Sequence, residues 1–509
     1  MVSIAVVTIA LCLTSHESTF QSWLVSHKLD LPSSVHRHED IPMQATGHVT
    51  LTAEPAQSRQ YFAPGAVGLS METQALATWP QDLSTTHKSL VKFMQLLGPA
   101  VLRIGGSSLD YSWWTANGEQ PPSWATSIVT PSNLVTLREL LERTNWHVVL
   151  GVDFGHFDPT RAAGEARIAR QILGSRLLGI EIGNEPDAYG TSTVHLRSRT
   201  YDVSDYLNEL AEYAAAIKGT SPTTPLYGPD FSLPNWLSSI TPNQVTPFAA
   251  ITDHYYAAPF AYSQGKCQNT TTPPTSVLLS PQVREQENVV LADLIDAGEL
   301  AHRETRISET NATPACRGST GYATNPVFAS ALWSLDWSLR AASAGVSGLN
   351  FHGSFGQCTQ GSFSPVCTPA PIAADRGLAI ARPEYYGLYS ARQLEGGYFV
   401  PVHLSGAGSS NDLTAYATVN KRRRLTLAID NFSTTTPATL SIDVEGYRRA
   451  TYERLTAPSI ESTDDVSFGH ASFDAFGELR SKQSKIVRSH GGFKVDVEQA
   501  SAMIIRLRK

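Results

Sequence analysis

Two glutamates, Glu185 in LLGIEIGNEPDAYG and Glu309 in HRETRISETNAT, each close a short apolar run with a cluster of polar residues. Gly183, Asn184, Pro186 and Asp187 are turn formers, so a turn at a strand end accounts for the first cluster by itself. It does not account for a second carboxylate set in the same way. Two carboxyl groups facing each other are what cleavage of a glycosidic bond requires. One protonates the departing oxygen, and the other attacks the anomeric carbon or activates water. The neighbouring residues suit that chemistry. Alternation along a strand puts Glu181, Gly183 and Glu185 on one face, and in TDHYYA it puts His254 with Tyr256. A hydroxyl on Tyr256 could hold an ionised carboxylate. His254 could orient a carboxylate or contact sugar hydroxyls, or be a core histidine with its ring nitrogens satisfied. GGSSLDYSWW supplies Asp110 and two rings, Trp113 and Trp114, of the kind that stack on sugar faces.

The elements that must position these residues follow from periodicity. From about residue 60 to 390, short apolar runs alternate with amphipathic stretches, as in parallel β/α units. AVGLSMET, VLRIGG, HVVLGVDF, LLGIEIGNE, PLYGPD, FAAITDHYY, ETRISET and GVSGLNFHG read as strands, and SDYLNELAEYAAAIKG and NPVFASALWSLDWSLRAASAG as two of the helices between them. Eight such units predict an α/β fold, a (β/α)8 TIM barrel, whose active site lies at the C-terminal ends of the strands. Glu185 then ends the fourth strand and Glu309 the seventh, on nearly opposite walls of the mouth. After about residue 390, segments such as DLTAYATVN, RLTLAIDN and SAMIIRLR alternate apolar and polar residues. They predict an antiparallel β-sandwich over 391–509, joined by a strand from about 45–55.

Composition bounds the rest. The chain has 509 residues, 41% hydrophobic and 17% charged, with a net charge of −7. No basic stripe points to nucleic acid, and the one basic run, Lys421 to Arg424, reads as a hairpin turn. Residues 1–20 are apolar over the length of a signal-peptide core, which predicts a secreted protein. No later segment is long and apolar enough for a membrane span. Cys267, Cys316, Cys358 and Cys367 form an even set, as disulfides would require. Cys358–Cys367 is the expected pair because both lie in one loop, and Cys267–Cys316 is the remaining one. Zinc-binding spacings do not occur, so neither a metal nor another cofactor is expected. Sequons stand at Asn269, Asn311 and Asn431. Asn311 lies beside Glu309, where a glycan would obstruct the site, so Asn269 and Asn431 are the glycosylation candidates. The chain lacks the G-x-S-x-G of α/β-hydrolases and a phosphate-binding loop.

Taken together, VLRIGGSSLDYSWW, IEIGNEPD, DHYY, RISETN, ASALWSLDWSLRAASAGVSGLNFHG and RPEYYGLYSA resemble glycoside hydrolase family 79, the β-glucuronidases and heparanase-like enzymes of clan A. The resemblance covers nearly all of the chain after residue 60. It implies a retaining mechanism with Glu185 as acid/base and Glu309 as nucleophile. It also implies that Asn184 bonds the sugar 2-hydroxyl, that Tyr256 holds Glu309, and that backbone amides with a tyrosine bind the uronate carboxylate. Tyr322 is the tyrosine available for that role, since the strand-eight loop offers Phe355 and Phe363 instead. The function implied is an exo-acting β-glucuronidase, expected to be monomeric, with a carbohydrate as its only partner. The alternatives are the same barrel acting on a 4-O-methylglucuronide, a neutral β-glycoside or an internal linkage, and a catalytically dead carbohydrate-binding protein.

Overall fold

The structure, a computed structural model, describes residues 48–509 apart from 58–59, 79–87, 192–193, 233, 241–243, 245–246, 258–261, 264–265, 268–274, 314–326, 354–357, 359–363, 368–377, 407–411 and 490–491. Eight parallel strands close into a barrel: β1 (Val67–Glu72), β2 (Val101–Gly105), β3 (His147–Val152), β4 (Leu177–Ile182), β5 (Leu226–Phe231), β6 (Phe248–Tyr256), β7 (Glu304–Asn311) and β8 (Gly348–Gly353). They are the eight runs read from the sequence, and β8 pairs with β1 to close the ring.

The connecting helices start and stop where local chemistry directs. Between β2 and β3 lies α1 (Pro131–Thr144), and between β3 and β4 lies α2 (Pro159–Leu173). Each begins with proline in its first turn, where the missing N–H leaves no hydrogen bond unmade. Asp158 caps α2 by accepting from Arg161 N, and Asn145, in the left-handed conformation, ends α1. The helix between β7 and β8, α3 (Phe328–Ala344), is buried on nearly every face. It packs against the barrel on one side and α4 (Pro383–Ala391) on the other.

From Gly397 onward the chain forms two sheets face to face. One sheet contains Gly397–Val400, Leu413–Asn420, Leu425–Asn431, Ser501–Arg508 and Arg449–Thr456, in that order. The other sheet contains the early strand His48–Ala53, which pairs antiparallel with Val402–Ser405 and parallel with Ala438–Asp443. That parallel pair departs from the all-antiparallel sandwich expected. Lys421–Arg424 is the exposed hairpin turn between two of the strands.

The sandwich encloses its own core, with Leu427, Ile429, Leu440, Ile442 and Ile505 among its members. A second core runs without a break from the barrel to the outer face of the larger sheet, where Ala428, Phe432, Leu455, Phe468 and Ile504 belong to it. Polar contacts cross the same junction: Tyr416 Oη donates to Asp336 Oδ1 at 2.9 Å, and Arg284 stacks over Phe432.

Three sequence expectations meet the structure here. Cys358 and Cys367 are joined by a disulfide, with their Cα atoms 5.1 Å apart. Asn431 is a correction. It is buried, and its Nδ2, the atom a glycan would occupy, donates to the carbonyls of Thr436, Val497 and Glu498. The sequon is thus used up in holding a strand end. The other sequon, Asn269, lies outside the described residues, as do residues 1–20, Cys316 and the Cys267 side chain, so the signal segment and the second pairing stay expectations. Among the described residues no helix is long and apolar enough to cross a membrane.

Phe473, in the sandwich, sits among the rings of Phe93, Tyr385, Tyr386 and Tyr389 on the barrel, with centroids 5.0–5.7 Å away. Phe473→Ala should destabilise the whole protein by about 3 kcal/mol, the usual cost of emptying an aromatic site. Urea unfolding checks this. A single transition should shift to lower denaturant, and separate transitions for barrel and sandwich would contradict the shared core.

Candidate active site

The mouth of the barrel is organised around one buried cation. Arg103, on β2, is fully buried and extends its guanidinium across the barrel axis. Its Nε donates to Glu181 Oε1 at 2.6 Å, one terminal nitrogen donates to Glu309 Oε2 at 2.6 Å, and the other to Asn184 Oδ1 at 2.9 Å. The planar fork suits three acceptors arranged around it. Gly105, two residues on and on the same face, leaves room for this. A Cβ there would sit 2.3 Å from the guanidinium carbon.

Glu185 and Glu309 come from the fourth and seventh strands and oppose each other, as the strand count required. Ligand atoms of Glu185, His254 and Glu309 all lie within 4.8 Å of one another. Glu309 is buried. Its Oε1 accepts from Tyr256 Oη at 2.6 Å, and its Oε2 faces Arg103 and, at 3.4 Å, His352 Nδ1. Burial by itself would raise its pKa. His352, His254, Arg103 and the Tyr256 hydrogen bond outweigh burial and hold it near 2, so it is ionised at any working pH. Glu185 is more open, with its side chain 28% exposed, and its Oε1 lies 3.0 Å from His254 Nδ1. His254 is buried between two acids, with its Nε2 3.5 Å from Asp230 Oδ1. Burial disfavours its charge, but Glu309, Asp230 and Glu185 prevail and push its pKa well up.

The backbone departs from regularity at these positions. β4 ends at Ile182, and both Gly183 and Glu185 are left-handed, with φ of 84° and 51°. Simple alternation therefore fails after Ile182. The reversal swings Glu185 over the mouth, and its N–H is caught by Asp230 O at 3.1 Å. A non-glycine residue in this region is strained, as functional residues often are. On β7, the register against β6 slips between Ile307 and Glu309. The bulge at Ser308 lets Ser308, which donates to Asp230, and Glu309 both reach inward.

The other residues singled out from sequence fall into three groups. Asn184, His254 and Tyr256 are at the carboxylates, as described. Asp110 is bonded to the protein's own groups. It is buried, accepts from Gly155 N at 3.0 Å and from Tyr189 Oη at 2.7 Å, and burial beside Asp153 lifts its pKa to about 8. Tyr189 Oη in turn lies 3.5 Å from Asn184 N, so Asp110 braces the loop that carries Asn184. Tyr322, Phe355 and Phe363 lie outside the described residues. Of the tryptophans, Trp114 is core, whereas Trp113 is half-buried under the Arg161 guanidinium.

Sequence reasoning missed Arg103, Glu72, Asp230, Ser308 and His352. Glu72, at the end of β1, accepts from Ser108 N at 2.8 Å and lies 3.5 Å from His352 Nε2. The signal for Arg103 was present: an arginine inside an apolar strand and followed by two glycines cannot be left unpaired. Glu185, His254 and Glu309 are close enough to chelate a cation by distance alone. Arg103 already bonds Glu309, and a protonated His254 is no ligand, so the donor set fits a cluster with its own cations.

Residues 415–504 match the glycosyl hydrolase family 79 C-terminal beta domain. No curated protein sequence matches the chain. Among solved structures, a 4-O-α-L-rhamnosyl-β-D-glucuronidase from Fusarium oxysporum superposes with a TM-score of 0.70 at 17% identity, covering 89% of this chain and 99% of that one. A family 51 α-L-arabinofuranosidase from Thermotoga petrophila gives 0.66 at 14% identity, covering 90% and 100%. A family 44 xyloglucanase from Paenibacillus polymyxa gives 0.60 at 10%, covering 91% and 99%. These similarities establish the barrel-plus-sandwich fold, and with the family match they support an O-glycosyl hydrolase.

Gly105→Ala should test the packing of Arg103 without removing any polar group. The added methyl must push the guanidinium off Glu309, and a displacement of about 1 Å in an active site costs on the order of 100-fold in rate. Turnover should fall by at least tenfold while the far-ultraviolet circular dichroism is unchanged. Wild-type turnover would show that Arg103 does not govern Glu309.

Proposed function

Because residues 415–504 carry the family 79 C-terminal β domain, on a barrel whose mouth opposes two carboxylates, we propose that the protein is a retaining exo-β-glucuronidase. The observation that supports the retaining mechanism is that a carboxylate oxygen of Glu185 comes within 4.8 Å of one of Glu309, which leaves the pair nearer the narrow spacing than the wide one. Retaining enzymes hold their carboxyl groups about 5–5.5 Å apart, whereas inverting ones leave roughly 6.5–9.5 Å for a water molecule.

Each step then has a residue. Glu309, ionised and aimed by Tyr256 and Arg103, attacks the anomeric carbon. Glu185, on the open side, gives its proton to the departing oxygen. With the glycosyl-enzyme formed, Glu185 takes a proton from water, which attacks the same carbon and releases the sugar with its original configuration. Arg103 can bond only the carbonyl oxygen of the Asn184 amide, which turns the NH2 toward the mouth as a donor for the sugar 2-hydroxyl. Both carboxylates and their partners are present, which speaks against a dead, sugar-binding barrel.

The sugar is inferred from the family match and from the fold shared with a glucuronidase. A second reading is favoured by the name of that enzyme: a glucuronic acid carrying a 4-O substituent, released as a disaccharide. Secretion as a monomer remains part of the proposal, motivated by the apolar N-terminus and the even cysteine set.

Aryl glycosides test the assignment. The β-glucuronide should be cleaved in preference to the β-glucoside, and proton NMR should show the β-anomer of the sugar first. A first-formed α-anomer would exclude retention. Glu309→Ala should lose at least ~10⁴-fold in kcat on every substrate, in line with removal of other nucleophiles. Glu185→Ala should fail mostly on poor leaving groups, and azide should restore part of its rate and yield the β-glycosyl azide.

A further inference from the structure

Beneath the two catalytic carboxylates lies a second pair of acids that the reaction does not use. Glu181 on β4 and Asp230 on β5 are both fully buried and face each other within hydrogen-bonding reach. Glu181 Oε1 takes the Nε–H of Arg103, while Asp230 Oδ1 takes the Ser308 hydroxyl and faces His254. Each acid keeps one buried oxygen, Glu181 Oε2 and Asp230 Oδ2, that no donor reaches among the described residues. Two ionised carboxylates cannot be left so, since each bare oxygen would keep its full desolvation cost beside a like charge.

The charges around them point the same way. Beside the pair the charged partners are the bases Arg103 and His254 and the acids Glu185, Glu309 and Asp253. Glu185 must be neutral to act as an acid. The acids outnumber these bases, so a neutral acid within the pair relieves the excess of negative charge. The strands flanking Glu181 put Gly151 and Tyr227 in register with it, and neither supplies a cation. Asp253 on β6 and Tyr206 both sense Asp230, and Asp187 in the turn after β4 acts on those two. None of them is a base.

We infer that Glu181 is held as a neutral carboxylic acid that donates its proton to Asp230, and that it is a positioning residue for the nucleophile. This rests on the catalytic roles proposed above for Glu185 and Glu309. A neutral Glu181 offers Arg103 only a carbonyl oxygen. The guanidinium charge is then directed to Glu309, the partner that must stay ionised. Asp230 remains charged and balances His254, which in turn holds Glu185. Burial first, and then the facing Asp230, raise the pKa of Glu181 against the pull of Arg103.

Glu181→Gln reproduces the neutral acid, with an oxygen for Arg103 and an N–H for Asp230, but has no proton to lose. A carboxyl that is stabilised in its protonated form by folding contributes stability in full below the pH where it ionises when unfolded, near 4.5. That contribution declines as pH rises above this point. The Tm of Glu181→Gln relative to wild type should therefore increase steadily from pH 4.5 to 8. An ionised Glu181 paired with Arg103 would give no change over this range, its pH dependence lying below 4.5, so a flat or falling difference overturns the inference. Infrared difference spectra of the two proteins at pH 7 should show a protonated-carboxyl stretch in wild type that is missing from the variant, and its absence from wild type also overturns it. For the positioning role, Glu181→Ala should lower kcat at least tenfold with less effect on KM, and Glu181→Gln should recover most of that loss. Equal damage by both variants would refute it. The Tm and infrared readings involve no substrate, so an error in the proposed sugar or mechanism would leave them unaffected.

Discussion

The site depends on a guanidinium buried in the middle of a closed barrel. An arginine in that position is strongly unfavourable unless acceptors surround it, because desolvating a charge costs several kcal/mol even after the protein relaxes. Arg103 has three acceptors, Glu181 on the fourth strand, Asn184 in the turn after it and Glu309 on the seventh. The same contacts that stabilise the cation fix the orientation of Glu309, keep it ionised and set the face of the Asn184 amide. Gly105 is then a requirement, since any side chain there would occupy the space of the guanidinium.

A regular barrel would not bring these groups together. Pleating sends successive side chains to opposite faces, yet Ser308 and Glu309 both reach the interior because the strand bulges between them and β6. Glu185 and Asp230 are both left-handed at strand ends, and the Glu185 N–H is tied to the Asp230 carbonyl. The strain at these residues lies next to the catalytic groups. It is held by a surround of fully paired strands and by a sandwich whose outer sheet shares the barrel's core.

This arrangement separates the two carboxylates electrically although they are close neighbours. Glu309 lies deep, among three bases and a tyrosine hydroxyl, where charge is favoured. Glu185 lies at the rim, partly in solvent, against a histidine that is itself held by Asp230. Two identical side chains are given different surroundings by depth and by partners, which is what the proposed roles of acid and nucleophile need.

Much of this was legible in the chain alone. All eight barrel strands were legible because each is a short apolar run between turn formers, and hydrophobic periodicity is a local property. The texture change near residue 390 marked the sandwich for the same reason. Glu185, Glu309, Asn184, His254 and Tyr256 could be singled out because polar residues stand out at the ends of apolar strands. Tertiary structure decided what depends on residues distant in sequence. Asp110 could be singled out from its motif, but its partners Gly155 and Tyr189, 45 and 79 residues away, could not. Asn431 formed a sequon, but three carbonyls, two of them more than sixty residues away, occupy its nitrogen. Arg103 gave no sign of its target, because 206 residues separate it from Glu309. Only closure of the barrel makes the two neighbours, and a buried charge is paired by whatever lies near it in space.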